Sequence, residues 1–243
     1  MWKTLLKMSI LLAAAAYLIF ALILFSNSNE DIVCTDLDIV VSDEDITGFI
    51  NENEIRDLLV ANNMFPEGKA IKDISLAELE ATLKSSPYID NVRCYQAADG
   101  HIAIHVIPRI PVLHVINLQG EDFYIDNKGG VMPRAHHKMN LPIMTGHVNK
   151  KTAGGLYAPF GNSLAKDTFW NNQIQEIHVT NTGELELTPR VGNHTILLGD
   201  TSLLADKMER MRIFYTEGLD KAGWNKYKTI NLKFSNQVIC TRR

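Results

Sequence analysis

The 243-residue sequence predicts an α+β protein. It reads as a single transmembrane helix, a β-α-α-β-β domain, and an antiparallel, strand-rich domain with an accessory helix near the C-terminus. Three observations carry this. Met8 to Phe25, MSILLAAAAYLIFALILF, holds no charged residue. Between Leu37 and Ile107, short β-branched runs flank two segments with helix caps. Beyond Pro111, strand-length runs alternate with turn residues until a late amphipathic segment.

The apolar run would make a helix about 27 Å long, close to hydrocarbon thickness. Lys3 and Lys7 precede it, and Glu30 and Asp31 follow. That asymmetry leaves residues 1–7 as a cytoplasmic tail and exports everything after residue 25. A cleaved leader is the competing reading. Its apolar stretch is typically about 7–15 residues and ends at small residues, a form that Ser26-Asn27-Ser28 matches poorly.

A linker at 26–35 leads to LDIVV (37–41), a strand of β-branched residues. Asn51 with Glu54 reads as a helix cap ahead of Ile55, Leu58 and Leu59, and Ser75 with Glu78 as a capping box ahead of Leu79 and Leu83. Pro87 stops that second helix. YIDNVRCYQ (88–96) is a strand, and Asp99-Gly100 turns it into the next one at 101–107, whose apolar residues alternate strictly.

The stretch HIAIHVIPRIPVLHV (101–115) then breaks its strand twice. Proline gives no N–H to a sheet ladder, so Pro108 and Pro111 bound a stiff connector around Arg109. The domain boundary follows: 36–109 on one side and 110–243 on the other. The competing reading is one continuous sheet with an edge bulge.

In the second domain the expected strands are 112–116, 122–126, 141–146, 174–181, 184–189 and 194–199, with a hairpin turn at Asn127–Gly130. A short helix is expected within 162–172. Ser202 is expected to cap a helix that places Leu204, Met208, Met211 and Tyr215 on one face. TINLKFSNQVIC (229–240) closes the chain as a long strand. A terminal strand at a sheet edge is either blunted, here by Lys226, Lys228 and Lys233, or used to pair with another chain.

The formal net charge is −4 and no basic run is longer than the closing Arg242-Arg243, which argues against nucleic-acid binding. Cys34, Cys94 and Cys240 are far apart without C-x-x-C spacing, against structural zinc. They are either small buried hydrophobes or, for two of them, a Cys34–Cys94 bridge. No G-x-S-x-G, P-loop or H-E-x-x-H pattern occurs. His136-His137 and the His101/His105 pair read as solvated, so no cofactor, metal or catalytic group is expected.

The motifs in order resemble the bacterial cell-division family FtsQ/DivIB. SPYIDNV (86–92) is similar to the family's approach to its second strand, and IAIHVIPRIP to its Arg-x-Pro hallmark, here Arg109 and Pro111. FYIDNKGGVMP (123–133) is similar to the Tyr-x-x-Asp-x-x-Gly hairpin, LPIMTG to Leu-Pro-x-x-x-Gly, and INLKFSNQVIC to the closing strand with its Asn-Gln continuation. The sequence departs from the pattern at Pro108, Asn231, Lys233 and Phe234. The resemblance implies a POTRA (polypeptide-transport-associated) domain followed by a β domain. It implies a non-enzymatic scaffold at the septum that joins FtsB/DivIC-like and FtsL-like bitopic proteins and, through them, septal peptidoglycan synthases. It places partner binding on Leu232, Phe234, Ser235, Asn236, Gln237 and Val238, read as a docking strand. The alternative for a POTRA-bearing chain is protein translocation or outer-membrane assembly.

Overall fold

A computed structural model describes residues 2–26, 32–42, 50–97, 100–135 and 139–243. Asp99 of the expected first turn, His136-His137 and residues 27–31 of the linker lie outside the described residues. Helix α1 spans Trp2–Ser26, and side chains 8–22 are described as nearly all exposed. Among the described residues, no helix is long and apolar enough to cross a membrane. The anchor expected over 8–25 runs past them, since side chains 23–25 lie outside those described.

The chain divides into two compact units, one ending at Ile107 and the other running from Pro108 to Arg243. In the first unit, β1 (Leu37–Val41), β2 (Ile89–Gln96) and β3 (Ile102–Pro108) form a sheet in the order β1-β3-β2. β1 runs parallel to β3, Leu37 opposite Ile102 and Val41 opposite Val106. α2 (Glu52–Ala61) begins at a full capping box: Asn51 Oδ1 accepts from the Glu54 N–H at 3.0 Å, and the Glu54 carboxylate accepts from the Asn51 N–H at 2.9 Å. α3 (Leu76–Lys84) shows half of one, with Ser75 Oγ accepting from the Glu78 N–H at 3.3 Å. Ile55 and Leu59 of α2 and Leu79 and Leu83 of α3 bury on Leu37, Ile39, Ile102 and Ile104, which joins both helix stripes to one sheet face.

The second unit is a nine-stranded sheet in the order β12-β11-β10-β9-β8-β7-β4-β5-β6. Its strands are β4 (Pro111–Asn117), β5 (Asp122–Asp126), β6 (Val131–Pro133), β7 (Ile143–Gly146), β8 (Ile174–Val179), β9 (Leu185–Pro189), β10 (Thr195–Gly199), β11 (Tyr227–Asn231) and β12 (Ile239–Arg242). The expectation of an antiparallel sheet is corrected: β4 with β7, β7 with β8, and β10 with β11 pair in parallel. Parallel neighbours need crossovers, and helices supply two of them. α4 (Lys150–Lys166) and α5 (Thr168–Gln173) connect β7 to β8, while α6 (Leu204–Ile213) lies between β10 and β11. α6 continues through a π-turned stretch, Phe214–Leu219, and a last turn, Asp220–Ala222.

Phe160, Leu164 and Trp170 from α4 and α5, and Met208, Met211 and Tyr215 from α6 and its extension, join Leu113, Ile125, Ile177, Leu187 and Ile230 in one core. The face of 204, 208, 211 and 215 is therefore used as its spacing suggests. Its cap is not. Leu203 stands at the N-cap with φ +49 and no side-chain bond, and Ser202 instead bonds Asp200, whose carboxylate also accepts from the buried Lys207 at 2.9 Å. α4 is far longer than the helix expected within 162–172. Two glycines, Pro159 and a third glycine weaken its propensity, but packing requires the small residues. A Cβ at Gly154 would collide with the Gly129 carbonyl, and one at Gly161 would come 2.8 Å from Leu113.

Candidate partner-docking edge

The C-terminal segment is a hairpin, not one strand. β11 and β12 pair antiparallel, Ile230 opposite Cys240 and Asn231 opposite Ile239, and residues 232–238 form the turn between them. The reading of Leu232–Val238 as a ladder strand is thereby corrected. The small polar run Ser235-Asn236-Gln237 is the cause. Asn236 takes φ +60, a left-handed position that Asn tolerates better than most residues.

The predicted residues come together at this turn, with different roles. Leu232 is fully buried in the core and its N–H donates to the Leu197 carbonyl at 2.9 Å. Val238 packs partly against the same core. Phe234 is 50 % exposed at the tip. Arg210 of α6 holds the loop in shape: its guanidinium donates to the carbonyls of Leu232 (3.3 Å), Phe234 (2.9 Å) and Gln237 (2.5 Å), while its Nε bonds Asp206 at 2.9 Å. Lys233 reaches Glu184 at 2.5 Å. Arg210 is the bracing residue of this turn that the sequence did not single out. Its signal was the Asp206–Arg210 spacing of i, i+4, which reads as an ordinary helix-surface pair.

The open edge is β12, the terminal strand in the sheet order, with β11 as its neighbour. Ile239 is 43 % exposed, and Thr241 and Arg242 are also exposed. Beside it, Arg210, Ile213, Phe214, Glu217, Lys221 and Asn236–Val238 line an open groove of about 410 Å³ between helix and turn. Among the described residues, the outer side of β12 thus pairs with no further strand, and exposed apolar side chains stand beside it on a braced support. That combination suits strand addition by a peptide.

The junction residues lie at the other end of the sheet order. Arg109 donates to Asp126 Oδ2 through Nε at 2.7 Å and Nη2 at 2.6 Å, and to the Val131 carbonyl at 3.3 Å. Asp126 Oδ1 accepts from the N–H groups of Lys128 (2.9 Å) and Gly130 (2.6 Å). Arg109 therefore fixes the β5–β6 turn, and a Cβ on Gly130 would collide with its guanidinium. Pro111 opens β4, where a missing N–H is tolerated.

Among the described residues, no group of three or more His, Cys, Asp or Glu could hold a metal ion. The three cysteines are free, so the bridge reading is corrected. Burial, then Glu80, pushes the Cys94 thiol up to about 12, and burial raises Cys34 and Cys240 as well. None is an activated nucleophile.

A family model described as FtsQ/DivIB, C-terminal related, matches residues 110–241, more than half of the chain. The chain belongs to the FtsQ/DivIB family. A second model, of a POTRA-like domain, matches residues 32–107, the span of the β1–β3 sheet and its two helices. No curated protein matches the chain. Membership of FtsQ/DivIB gives the protein a role in cell division, in a family whose members are generally non-enzymatic scaffolds.

Proposed function

We propose that this FtsQ/DivIB member is a membrane-anchored scaffold of the division machinery, and that a partner docks by adding a strand to β12. The observation that carries the reading is the open β12 edge beside a turn whose three carbonyls are held by one arginine. The partners are the small bitopic FtsB/DivIC-like and FtsL-like proteins, and through them the scaffold acts on septal peptidoglycan synthases. The uncharged run 8–25 behind Lys3 and Lys7 anchors it in the cytoplasmic membrane at the septum, with both folded units outside.

Magnitudes say what the docking needs. β12 has four residues, so it offers two or three ladder bonds worth about 0.5–1.5 kcal/mol each. A micromolar complex needs about 8 kcal/mol. The remainder must come from apolar burial, and Phe234 and Ile239 would supply about 1.5–3 kcal/mol each if covered. Side chains at the tip therefore matter as much as the edge.

The test is co-purification from crosslinked membranes of the full chain, a chain lacking 239–243, and Phe234→Ala. The expected result is that small single-span proteins and septal synthases accompany the full chain, vanish with the deletion, and fall about tenfold or more with Phe234→Ala. Full recovery with the deletion would move docking elsewhere on the protein. Recovery of translocation substrates in place of division proteins would overturn the scaffold reading.

A further inference from the structure

His194 precedes β10, at the end of the sheet that carries β11 and β12. Its side chain is buried in aromatic surroundings. The Tyr215 ring meets it edge-on at 5.6 Å, and Trp224 and Trp170 meet Tyr215 at 5.3 and 5.4 Å. A Cβ on Gly192 would come 2.7 Å from the imidazole. His194 Nε2 lies 2.7 Å from the Tyr215 hydroxyl, while Nδ1 is buried without a hydrogen-bond partner.

Among the described residues, the neighbouring elements offer the ring no counter-ion. From the C-terminus, the Arg243 guanidinium donates to the carbonyl of Asn193, and the Arg243 N–H donates to the Lys226 carbonyl at 3.3 Å. From the turn before β11, Trp224 contributes its backbone, and Asp220 is engaged by the Trp224 indole at 3.1 Å. From α5, Trp170 and Phe169 stand under the Arg212 guanidinium, which pairs with Asp167. The charge whose field reaches the imidazole is Arg243, and it has the same sign as a protonated histidine.

We propose that His194 is an acid-sensitive latch. Neutral, it lets Asn193 and Arg243 tie the chain terminus to the head of β10; protonated, it releases the β11–β12 end of the sheet. The neutral ring satisfies Nε2 through Tyr215 in either tautomer, whereas the cation would set a full charge in an apolar box beside Arg243, a cost that the Trp224 backbone offsets only in part. Burial first, and Arg243 second, hold the imidazole below its ordinary value; the Trp224 backbone opposes them less strongly. The sign follows. The opened form takes up a proton before the closed form, so closure is full above about pH 6.5 and is lost as the pH falls through the lower native value. The latch is a property of the sheet and stands apart from what docks on β12.

The experiment is hydrogen exchange of the full-length protein in detergent at pH 7.5 and 5.5, with rates corrected for intrinsic chemistry, for wild type and His194→Gln. A ring that titrates near 6.5 only when opened predicts a loss of protection of up to about tenfold over 192–199 and 224–243. His194→Gln, which can bond Tyr215 but carries no titrating ring, is expected to lose less than about twofold, since linkage through that group is gone. Equal losses in the two proteins would overturn the proposal. Selective ¹⁵N-histidine labelling of the wild type gives a second reading that needs no variant. A His194 midpoint below the ordinary imidazole value supports the latch, and a midpoint at or above it refutes it.

Discussion

Replacing Asp126 by alanine tests whether Arg109 and the β5–β6 turn form one unit. The carboxylate accepts four donors at once: two from Arg109, at 2.7 and 2.6 Å, and two turn N–H groups, at 2.9 and 2.6 Å. Its side chain is 4 % exposed and that of Arg109 17 %. Removing one member of such a pair strands the other, at a cost of about 3–5 kcal/mol. Arg109 keeps the Val131 carbonyl at 3.3 Å, which argues for the lower part of that range. Asp126→Asn retains the turn acceptor and loses the charge, so its expected cost is smaller, about 1–3 kcal/mol. In a protein of this size Asp126→Ala should lower Tm by roughly 6–16 °C. The assay is urea and thermal unfolding followed by circular dichroism, with Arg109→Met and the double variant completing a cycle. The double variant should be milder than the sum of the singles. Partner recovery should not change in the folded variant, because seven strand spacings separate β5 from β12 in the sheet order, about 34 Å. A cost for Asp126→Ala under about 1 kcal/mol, or equal costs for Ala and Asn, would refute this account.

Arg210→Ala frees three turn carbonyls and should cost about 1.5–3 kcal/mol; limited trypsinolysis at Lys233, on the turn, should accelerate relative to wild type. Asn236 sits at φ +60, so Asn236→Gly should change stability by no more than about 0.5 kcal/mol and Asn236→Val should cost about 1–2 kcal/mol, read from urea midpoints at constant m-value. With its thiol pushed up to about 12, Cys94 should be about 10⁻⁴ thiolate at pH 8. Iodoacetamide should therefore modify it in the unfolded protein and spare it in the native one, as mass spectrometry would show.

Local signals in the sequence located most elements but could not report how distant ones pair. The capping box at Asn51, the strand at 122–126 and the turn at 127–130 follow from residues within a few positions of each other, and the structure agrees at each. The parallel pairing of β4, β7 and β8 depends on crossovers of many residues, and no local pattern encodes it. Helix α4 was legible only in part, because Gly154, Pro159 and Gly161 argue against a helix taken alone. Their reason lies in the backbone of another element, the Gly129 carbonyl, and in Leu113 of β4. Leu203 at φ +49 belongs to the same class: the obvious cap, Ser202, is drawn away by Asp200 and Lys207.

The C-terminal segment shows how a period of two in sequence can hide a hairpin. Alternation of Ile230, Leu232 and Phe234 suggested one long strand, and Val238 and Cys240 resumed a period of two on the far side of Ser235-Asn236-Gln237. Two strands of opposite direction leave the same trace as one strand when a short polar turn joins them. The difference matters for the docking proposed above. In a single strand the docking backbone would be 232–238; in the hairpin those carbonyls of Leu232, Phe234 and Gln237 are already taken by Arg210, and the free edge moves to Ile239–Arg242. The turn then orients Phe234 and the groove beside the edge, a task for which a fixed loop is better suited than a mobile one, because ordering it at the moment of binding would cost affinity. If docking is as proposed, Arg210 acts as a positioning residue, and its loss should weaken docking even though its guanidinium is turned toward the loop's own backbone.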